Sequence, residues 1–372
     1  MKFTGRLVST TLVLIVTLNI AACSKPNVNK NVNKNTSETS IDIGNIKFPN
    51  ITIMCKKEEY NQVFSINKDT LDKIGKIPKE DVLDLIYNKE KDLYIFLVKK
   101  LGEGRKTKSQ IKIIKNNRTK VLNESSVYSD ISISPDSGKI LFRSFKDVAM
   151  NEPEGIRVYD VENHKEIQIK TKVLVSGDVY EWLDDENIIY YGIISDKPNS
   201  GNIYKYNVKS GQESVYFSKL EGLCSRMYSI SKDEILVLGN KEDDYKLVYY
   251  NVKTGDKKLI SQNISDMTKA AINKDKKLLY FIGESSESNN FALFSIDLTT
   301  FECSQLTYDL PKNVDKKAGL AMDSEGNVIF GGKDSENNND IYIYDVKNNS
   351  TSLITEKSND YKIYGDKVHS NK

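Results

Sequence analysis

The sequence predicts an all-β protein built from a repeated four-stranded unit, on three observations. From about residue 41 onward, short segments rich in Ile, Val, Tyr and Phe alternate apolar and polar positions, as half-buried strands do. A strand–turn–strand unit recurs seven times at spacings of 44 to 48 residues. A second such unit precedes it in most periods, so each period holds four strands. Four short antiparallel strands at this interval predict a seven-bladed β-propeller, with six or eight blades as alternatives.

The first strand of each recurring unit ends at a position that leads a tight turn. Asn and Asp favour such turns because their side chains accept hydrogen bonds from nearby backbone amides. The aligned residues are Asn67, Lys115, Asp160, Asn207, Asn251, Asp297 and Asp345.

The two ends of the repeat region are predicted to share one blade. Apolar alternation in residues 51–55 precedes the first unit, and residues 361–368, "YKIYGDKV", follow the last one. Pairing these segments would close the ring and remove two free sheet edges, which otherwise invite association with other chains.

One copy of the repeat carries a recognisable motif. In Ile131–Ser144, "ISISPDSGKILFRS", Ser134-Pro135-Asp136 and Gly138-Lys139 form a polar turn before an apolar strand. This motif resembles the repeat of the TolB-like, WD-type bacterial propellers. The resemblance covers about residues 80 to 355 and implies the propeller fold, whereas a function cannot be carried over from repeat similarity.

The N-terminus predicts an exported lipoprotein. Lys2 and Arg6 precede an apolar stretch, residues 7–18, that is too short to span a bilayer but suits an export signal. The sequence Ile20-Ala21-Ala22-Cys23 resembles the lipobox of bacterial lipoproteins. The resemblance implies a thioether-linked diacylglycerol on Cys23, cleavage before it, and attachment through lipid to the extracytoplasmic face of the cell membrane.

These observations predict three parts of the chain. Residues 1–22 are a lipoprotein signal peptide, and residues 41–372 are the propeller. Residues 23–40 contain the lipidated cysteine and a stretch with almost no apolar side chains, which predicts a flexible, disordered tether.

Charge and cysteine content limit the expected partners, disulfides and metal sites. The chain has 54 Lys and Arg against 52 Asp and Glu, and loss of Lys2 and Arg6 with the signal peptide makes the two counts equal. Nucleic acid is therefore not an expected partner. Beyond Cys23 there are Cys55, Cys224 and Cys303, which permit at most one disulfide and lack metal-like spacing.

Few residues suit catalysis. The two histidines, His164 and His369, lie in a polar turn and near the C-terminus, so neither suits a serine hydrolase triad. Acidic clusters at 184–186, 242–244 and 334–340 fit turns and solubility, although calcium held by them stays an alternative to the expected absence of a cofactor.

Loop lengths favour one face of the propeller as the binding surface. Connections between the second and third strands of the blades are long, and loops on a rigid scaffold commonly carry function. The expected binding residues are basic ones on this face: Lys100, Arg105, Lys106 and Arg143. The predicted long loops are 99–109, 143–155, 195–201, 283–290 and 331–339.

The sequence thus favours a monomeric, membrane-anchored propeller that binds or scaffolds a protein, peptide or glycan and performs no reaction. Two alternatives stay open. One is an extracytoplasmic hydrolase or lyase that uses carboxylates and a bound metal in the channel, and the other is a structural subunit of an envelope complex.

Overall fold

The described part of this chain forms seven antiparallel sheets. The computed structural model describes residues 46–101, 107–122, 126–127, 130–145, 153–197, 200–336 and 338–366. Each sheet follows the sequence order from its innermost to its outermost strand, except where the C-terminal strand enters the first sheet. This arrangement confirms the predicted propeller of seven four-stranded blades.

The blades are numbered 1 to 7 in chain order. Blade 1 contains β1 (Ile51–Lys56), β2 (Tyr60–Asn67) and β3 (Thr70–Pro78). Blade 2 contains β4 (Asp81–Asn88), β5 (Leu93–Leu101), β6 (Thr107–Lys115) and β7 (Arg118–Leu122). Blade 3 contains β8 (Ser126–Val127), β9 (Ser132–Ile133), β10 (Lys139–Phe145), β11 (Pro153–Asp160) and β12 (Lys165–Ile167). Blade 4 contains β13 (Val173–Trp182), β14 (Asn187–Ile194), β15 (Asn202–Asn207) and β16 (Glu213–Phe217), and blade 5 contains β17 (Leu223–Ser231), β18 (Glu234–Lys241), β19 (Asp244–Asn251) and β20 (Lys257–Ser261). Blade 6 contains β21 (Ile264–Asn273), β22 (Leu278–Ser285), β23 (Phe291–Asp297) and β24 (Cys303–Gln305). Blade 7 contains β25 (Asn313–Val314), β26 (Leu320–Met322), β27 (Val328–Lys333), β28 (Asn339–Asp345) and β29 (Ser350–Leu353).

Blade 1 is completed by the end of the chain. Strand β30 (Tyr361–Gly365) pairs antiparallel with β1, with Ile53 opposite Ile363, so the sheet order is β30-β1-β2-β3. The innermost strand of blade 1 therefore comes from the C-terminal segment and the other three from the N-terminal one. This confirms that the two ends share a blade.

Two blades have a divided inner strand. In blade 3 both β8 and β9 pair with β10, and in blade 7 both β25 and β26 pair with β27. The single helical element in the described ranges is a 3₁₀ turn at Lys89–Lys91. No helix there is long and apolar enough to cross a membrane.

Apolar side chains are buried between neighbouring blades. Seven separate clusters fill the seven interfaces, since each blade presents alternating side chains to both neighbours. The cluster between blades 7 and 1 includes Ile329 and Ile341 on one side and Ile53 and Ile363 on the other, all at most 2% exposed. The interface that closes the ring therefore contains a buried apolar core, as the interfaces between the other blades do.

The aligned polar residues of the repeat cap the outer hairpins. Asn207 Oδ1 accepts hydrogen bonds from the amides of Lys209 and Ser210, at 3.0 and 2.8 Å. Asn251 and Asp297 do the same for the amides two and three positions after them. The turn chemistry that sequence comparison predicted is therefore present in successive blades.

The Ser-Pro-Asp turn has the same structural role between β9 and β10. Asp136 Oδ1 accepts hydrogen bonds from the Gly138 amide at 2.9 Å and from Ser134 Oγ at 2.6 Å. Asp185 Oδ1 of blade 4 accepts one from the Asp136 amide at 2.7 Å. The motif shapes a turn and ties it to the next blade.

Candidate binding site in the central channel

The innermost strands surround a cavity of about 650 Å³, and residues from all seven blades line it. Its wall is strongly charged. The carboxylates are Asp84, Asp130, Asp178, Glu181, Asp266 and Asp366. The cations are Arg226, Lys269, Lys316 and Lys317.

One ion pair crosses the channel. Lys269 Nζ of β21 in blade 6 donates to Asp84 Oδ1 of β4 in blade 2, at 2.8 Å. The Asp84 side chain is 7% exposed, whereas that of Lys269 is 51% exposed because it projects into the cavity. Burial lowers the pKa of Lys269, but the charge and hydrogen bond of Asp84 outweigh that effect and raise it overall.

Arg226 of β17 in blade 5 connects its two neighbouring blades, 4 and 6. Its Nη1 donates to Asp178 Oδ1 of blade 4 at 2.7 Å, and its Nε donates to the Met267 carbonyl of blade 6 at 2.9 Å. The same Nε lies 3.8 Å from Asp266 Oδ1, and Lys316 Nζ of blade 7 donates to Asp266 Oδ2 at 3.3 Å. Burial lowers the pKa of Arg226, but Asp178 and Asp266 hold it above the usual value.

Asp130 and Asp178 form a carboxyl pair. Burial raises the pKa of Asp130 to about 7, with further contributions from its hydrogen bond to Asp178 and from the charges of Asp178 and Asp84. The hydrogen bond requires a proton on one of the two carboxyl groups. Asp130 also has a φ of 95°, a strained value for a residue with a side chain, so the surrounding structure holds it in place.

Irregularities in the inner strands position these charges. The pairing of β4 with β5 shifts between Val82 and Asp84, and that of β17 with β18 shifts between Cys224 and Arg226. A bulge of this kind re-aims the side chain beside it. Asp84 and Asp266 each accept a hydrogen bond from the following amide, at 2.9 and 2.8 Å, which fixes both carboxylates in the same local geometry.

The two signs of charge are unevenly distributed around the ring. Carboxylates dominate the wall formed by blades 2 to 4, where Asp84, Asp130 and Asp178 are found. The four cations come from blades 5 to 7. Among the described residues of this wall, six carry carboxyl groups and four are cations, so acidic groups outnumber cations by two.

Metal ligands do not cluster in the part of the chain that the structure describes: no three His, Cys, Asp or Glu side chains converge there as they would on a metal ion. Asp184 and Asp334, from acidic clusters considered for calcium, accept hydrogen bonds from backbone amides within their own turns. Cys55, Cys224 and Cys303 are free thiols in strands.

The predicted binding residues are only partly within the described ranges. Arg105 and Lys106 lie outside them, and Lys100 belongs to β5. Arg143 is in β10 rather than in a loop, donates to the Gly177 carbonyl of blade 4, and stacks at 5.3 Å on the Phe145 ring. Their role in binding stays a prediction.

Most of the predicted long loops are shorter than expected. Strand β5 continues to Leu101 and β6 begins at Thr107, while β10 continues to Phe145 and β11 begins at Pro153. Strands β22 and β27 likewise extend to Ser285 and Lys333. These extensions show no apolar alternation in the sequence, and backbone pairing in the ladder holds them. Only the loop 195–201 has the predicted bounds.

Sequence reasoning missed the channel residues, although a signal exists. In five blades a charged residue precedes an apolar one on or beside the inner strand: Asp84-Leu85, Asp130-Ile131, Asp178-Val179, Arg226-Met227 and Asp266-Met267. The first four are spaced by 46, 48 and 48 residues. A charge recurring at the repeat period marks a position that faces the axis.

No protein-family model matches the sequence, and no curated protein matches it. An oligogalacturonate lyase in complex with manganese superposes with a TM-score of 0.52 and 13% identity, over 80% of this chain and 85% of its own. A puromycin hydrolase variant gives 0.50 and 10%, over 77% of this chain and 46% of its own, so this chain spans about half that protein's length. TolB from Acinetobacter baumannii gives 0.47 and 12%, over 85% and 82%. At such identities the matches with scores of 0.50 and 0.52 show the propeller fold alone.

Proposed function

We propose that this chain is a lipid-anchored, extracytoplasmic β-propeller that binds a protein, peptide or glycan in its central channel without converting it. The observation that carries the proposal is the channel: inner-strand residues of all seven blades surround a charged cavity of about 650 Å³. Ligand pockets typically measure roughly 300–1,000 Å³. A rigid ring of blades presents these charges in fixed positions, which suits selective binding.

The charged residues lie where a ligand would enter. Asp84, Arg226 and Asp266 are in the first halves of β4, β17 and β21. Those strands begin at the face where the blade-to-blade connections arrive, which also carries the loops between second and third strands. A partner seated on that face would reach the channel charges directly.

Channel-dependent cross-linking tests the binding proposal. The full chain, expressed in its membrane, is cross-linked and its partners are identified by mass spectrometry, in parallel with Arg226→Gln and the exposed control Lys253→Gln. We expect a partner that is captured by the wild type and the control and lost from Arg226→Gln. Capture that is unaffected by Arg226→Gln would place binding elsewhere.

Lipid anchoring is tested separately on Cys23. Cells fed radiolabelled palmitate should label the wild-type chain and the Cys303→Ser control, and the label should be lost in Cys23→Ser. Cys303 is a suitable control because its thiol is free. Equal labelling of Cys23→Ser would contradict the anchor.

One observation favours a second candidate, a hydrolase or lyase that works with carboxylates. Asp130, whose pKa burial raises to about 7, lies in the channel beside Asp178, which is ion-paired with Arg226. Mass spectrometry of oligosaccharide and peptide panels incubated with the chain would detect cleavage, which Asp130→Asn and Asp178→Asn would each have to abolish.

A further inference from the structure

We propose that the channel contains a pH-sensitive switch: Lys269 pairs with Asp84 while Asp130 holds a proton, and it moves towards Asp130 when that proton is lost to water in the cavity. The switch is a property of the chain itself and needs no ligand. It follows from the position of Asp130 near two ion pairs, from the constrained backbone of Asp130, and from the freedom of Lys269 to change its partner.

Asp130 lies within electrostatic reach of two ion pairs on the cavity wall. In one pair Arg226 donates to Asp178 at 2.7 Å, and Asp178 also shares a hydrogen bond with Asp130. In the other pair Lys269 donates to Asp84 at 2.8 Å. The carboxylates of Asp178 and Asp84 disfavour the charged form of Asp130, and the ammonium of Lys269 favours it. Loss of the Asp130 proton therefore changes the electrostatic field at both ion pairs.

Arg226 is held too firmly to follow this change. Its Nη1 donates to Asp178 and its Nε donates to the Met267 carbonyl at 2.9 Å. The same Nε lies 3.8 Å from Asp266 Oδ1. A planar guanidinium with directed hydrogen bonds on two sides cannot turn without breaking them. Arg226 therefore keeps its partners when Asp130 becomes charged.

Two further groups near Asp130 do not take up its charge. Tyr180 Oη donates to the Asp130 carbonyl at 3.2 Å, and burial raises the pKa of this hydroxyl, so it stays neutral near pH 7. Arg143, whose charge acts on Tyr180, donates to the Gly177 carbonyl and stacks at 5.3 Å on the Phe145 ring. Both side chains are therefore committed to other contacts.

Lys269 is the cation that is free to respond. Among the described residues its Nζ donates to Asp84 alone, and its side chain is 51% exposed in the cavity. An exposed ammonium on a flexible stem changes partner at little cost. Burial lowers the pKa of Lys269, but the charge and hydrogen bond of Asp84 raise it overall, and the charge of Asp130 adds to this. Lys269 therefore stays positive while Asp130 titrates.

The backbone keeps the Asp130 carboxyl at the cavity. Its φ of 95° is strained for a residue with a side chain, so the surrounding structure fixes this conformation. The hydrogen bond from Tyr180 to the Asp130 carbonyl is one of these restraints. A carboxylate that cannot turn away has to be neutralised where it stands, and Lys269 is the cation that can reach it.

The switch is expected to operate near neutral pH. Burial, the hydrogen bond to Asp178 and the charges of Asp178 and Asp84 raise the pKa of Asp130 to about 7. Below this pH the proton stays on Asp130 and Lys269 serves Asp84 alone. Above it the proton leaves for water, the charge of the channel falls by one unit, and Asp84 shares its ammonium with Asp130.

NMR titration of the full chain in detergent tests the switch. Aspartate with an isotope label at the carboxyl carbon and lysine with one at the ε carbon report on the two partners, and the variants Asp130→Asn and Lys269→Met assign their signals. We expect the Asp130 signal to titrate with a midpoint near pH 7 and the Lys269 signal to move with the same midpoint. A Lys269 signal that stays in place between pH 5 and pH 9 would overturn the proposal.

The controls identify the group that titrates. In Asp130→Asn the movement of the Lys269 signal should disappear, because the amide cannot become charged. Asp275→Asn, on an exposed turn of blade 6, should leave that movement unchanged, and the signal of the exposed Lys253 should not move in any variant. A Lys269 signal that moves equally in Asp130→Asn would assign the response to another group and refute the switch.

Double-mutant cycles in urea unfolding measure the same exchange as a coupling between residues. Lys269→Met combined with Asp84→Asn reports on the first pair, and combined with Asp130→Asn it reports on the second. We expect the coupling to Asp84 to fall by at least about half between pH 5 and pH 9, and the coupling to Asp130 to be present only at pH 9. Couplings that do not change with pH would contradict the switch. The NMR titration, which does not use Asp84→Asn, decides the question if that variant fails to fold.

The proposed function and the switch can fail independently, because the titration needs no ligand. Movement of the Lys269 signal without a partner that depends on Arg226 would support the switch and refute binding in the channel. A partner that depends on Arg226, together with a Lys269 signal that does not move, would support binding and refute the switch.

Discussion

Lys269 and Asp84 join blades 6 and 2 across the axis of the propeller, at 2.8 Å, although 185 residues separate them in the sequence. Lys269→Met would leave the Asp84 carboxylate, 7% exposed, without its ammonium partner. We expect the free energy of unfolding to fall by about 1–3 kcal/mol, the cost of an uncompensated buried group. Urea unfolding checks this against Lys253→Met, which should differ from the wild type by less than about 0.5 kcal/mol.

The carboxyl pair predicts an unusual pH dependence of stability. Because the folded pKa of Asp130, about 7, exceeds that of an unfolded Asp near 3.9, the folded chain holds a proton that the unfolded chain has lost. The contribution of this group to stability is therefore complete below about pH 4 and is lost as the pH rises to about 7.

The substitution Asp130→Asn should remove this loss of stability at higher pH. We expect the variant to be more stable than the wild type at pH 8 and the difference to shrink towards pH 4. Urea midpoints measured at pH 4, 6 and 8 check this. A difference that grows towards low pH would contradict the raised pKa of Asp130.

The turn caps predict a local contribution to stability. Asn251→Ala removes the acceptor of two amide hydrogen bonds, from Lys253 at 3.1 Å and Thr254 at 2.9 Å. We expect a loss of about 0.5–2 kcal/mol, in the range of lost side-chain caps. Asn251→Asp keeps the acceptor and should stay close to the wild type in thermal unfolding. Equal loss in both variants would show that the amide group, rather than its acceptor oxygen, matters.

Ring closure predicts that the fold depends on its last strand. A chain that ends at Glu356 lacks β30 and with it the buried side chains Tyr361, Ile363 and Tyr364. Their lost burial costs at least about 5 kcal/mol, which is comparable with the whole stability of a typical domain.

The matched control is a chain that ends at Asp366, which keeps all of β30. We expect it to unfold cooperatively by circular dichroism and the shorter chain to unfold without cooperativity or to aggregate in size-exclusion chromatography. Two indistinguishable melting curves would mean that closure adds no stability.

The repeat made most of the fold predictable. Strand pairs, caps such as Asn207 and the shared blade all follow from local patterns that recur at a fixed period. Strand ends were less predictable because extensions such as Lys99–Leu101 are held by backbone pairing, which leaves no apolar alternation in the sequence.

The site was harder to predict than the fold. Lys269 and Asp84 meet only because the ring closes, and nothing near either residue in the sequence indicates the other. The aligned charges of Asp130, Asp178 and Arg226 were accessible to sequence reasoning, but charged residues in strands are usually solvent-facing. These charges form a cluster only because the inner strands of all blades surround one common axis.

The position of β30 also determines the order of events in folding. Strand β1 has its inner partner only after residue 361 has been made, so blade 1 keeps an open edge throughout synthesis of the other six. An unpaired edge is prone to wrong pairing with other chains. The propeller therefore reaches its closed form only after β30 has been made, and the charged channel, in which Asp84 of blade 2 meets Lys269 of blade 6, is assembled in that last step.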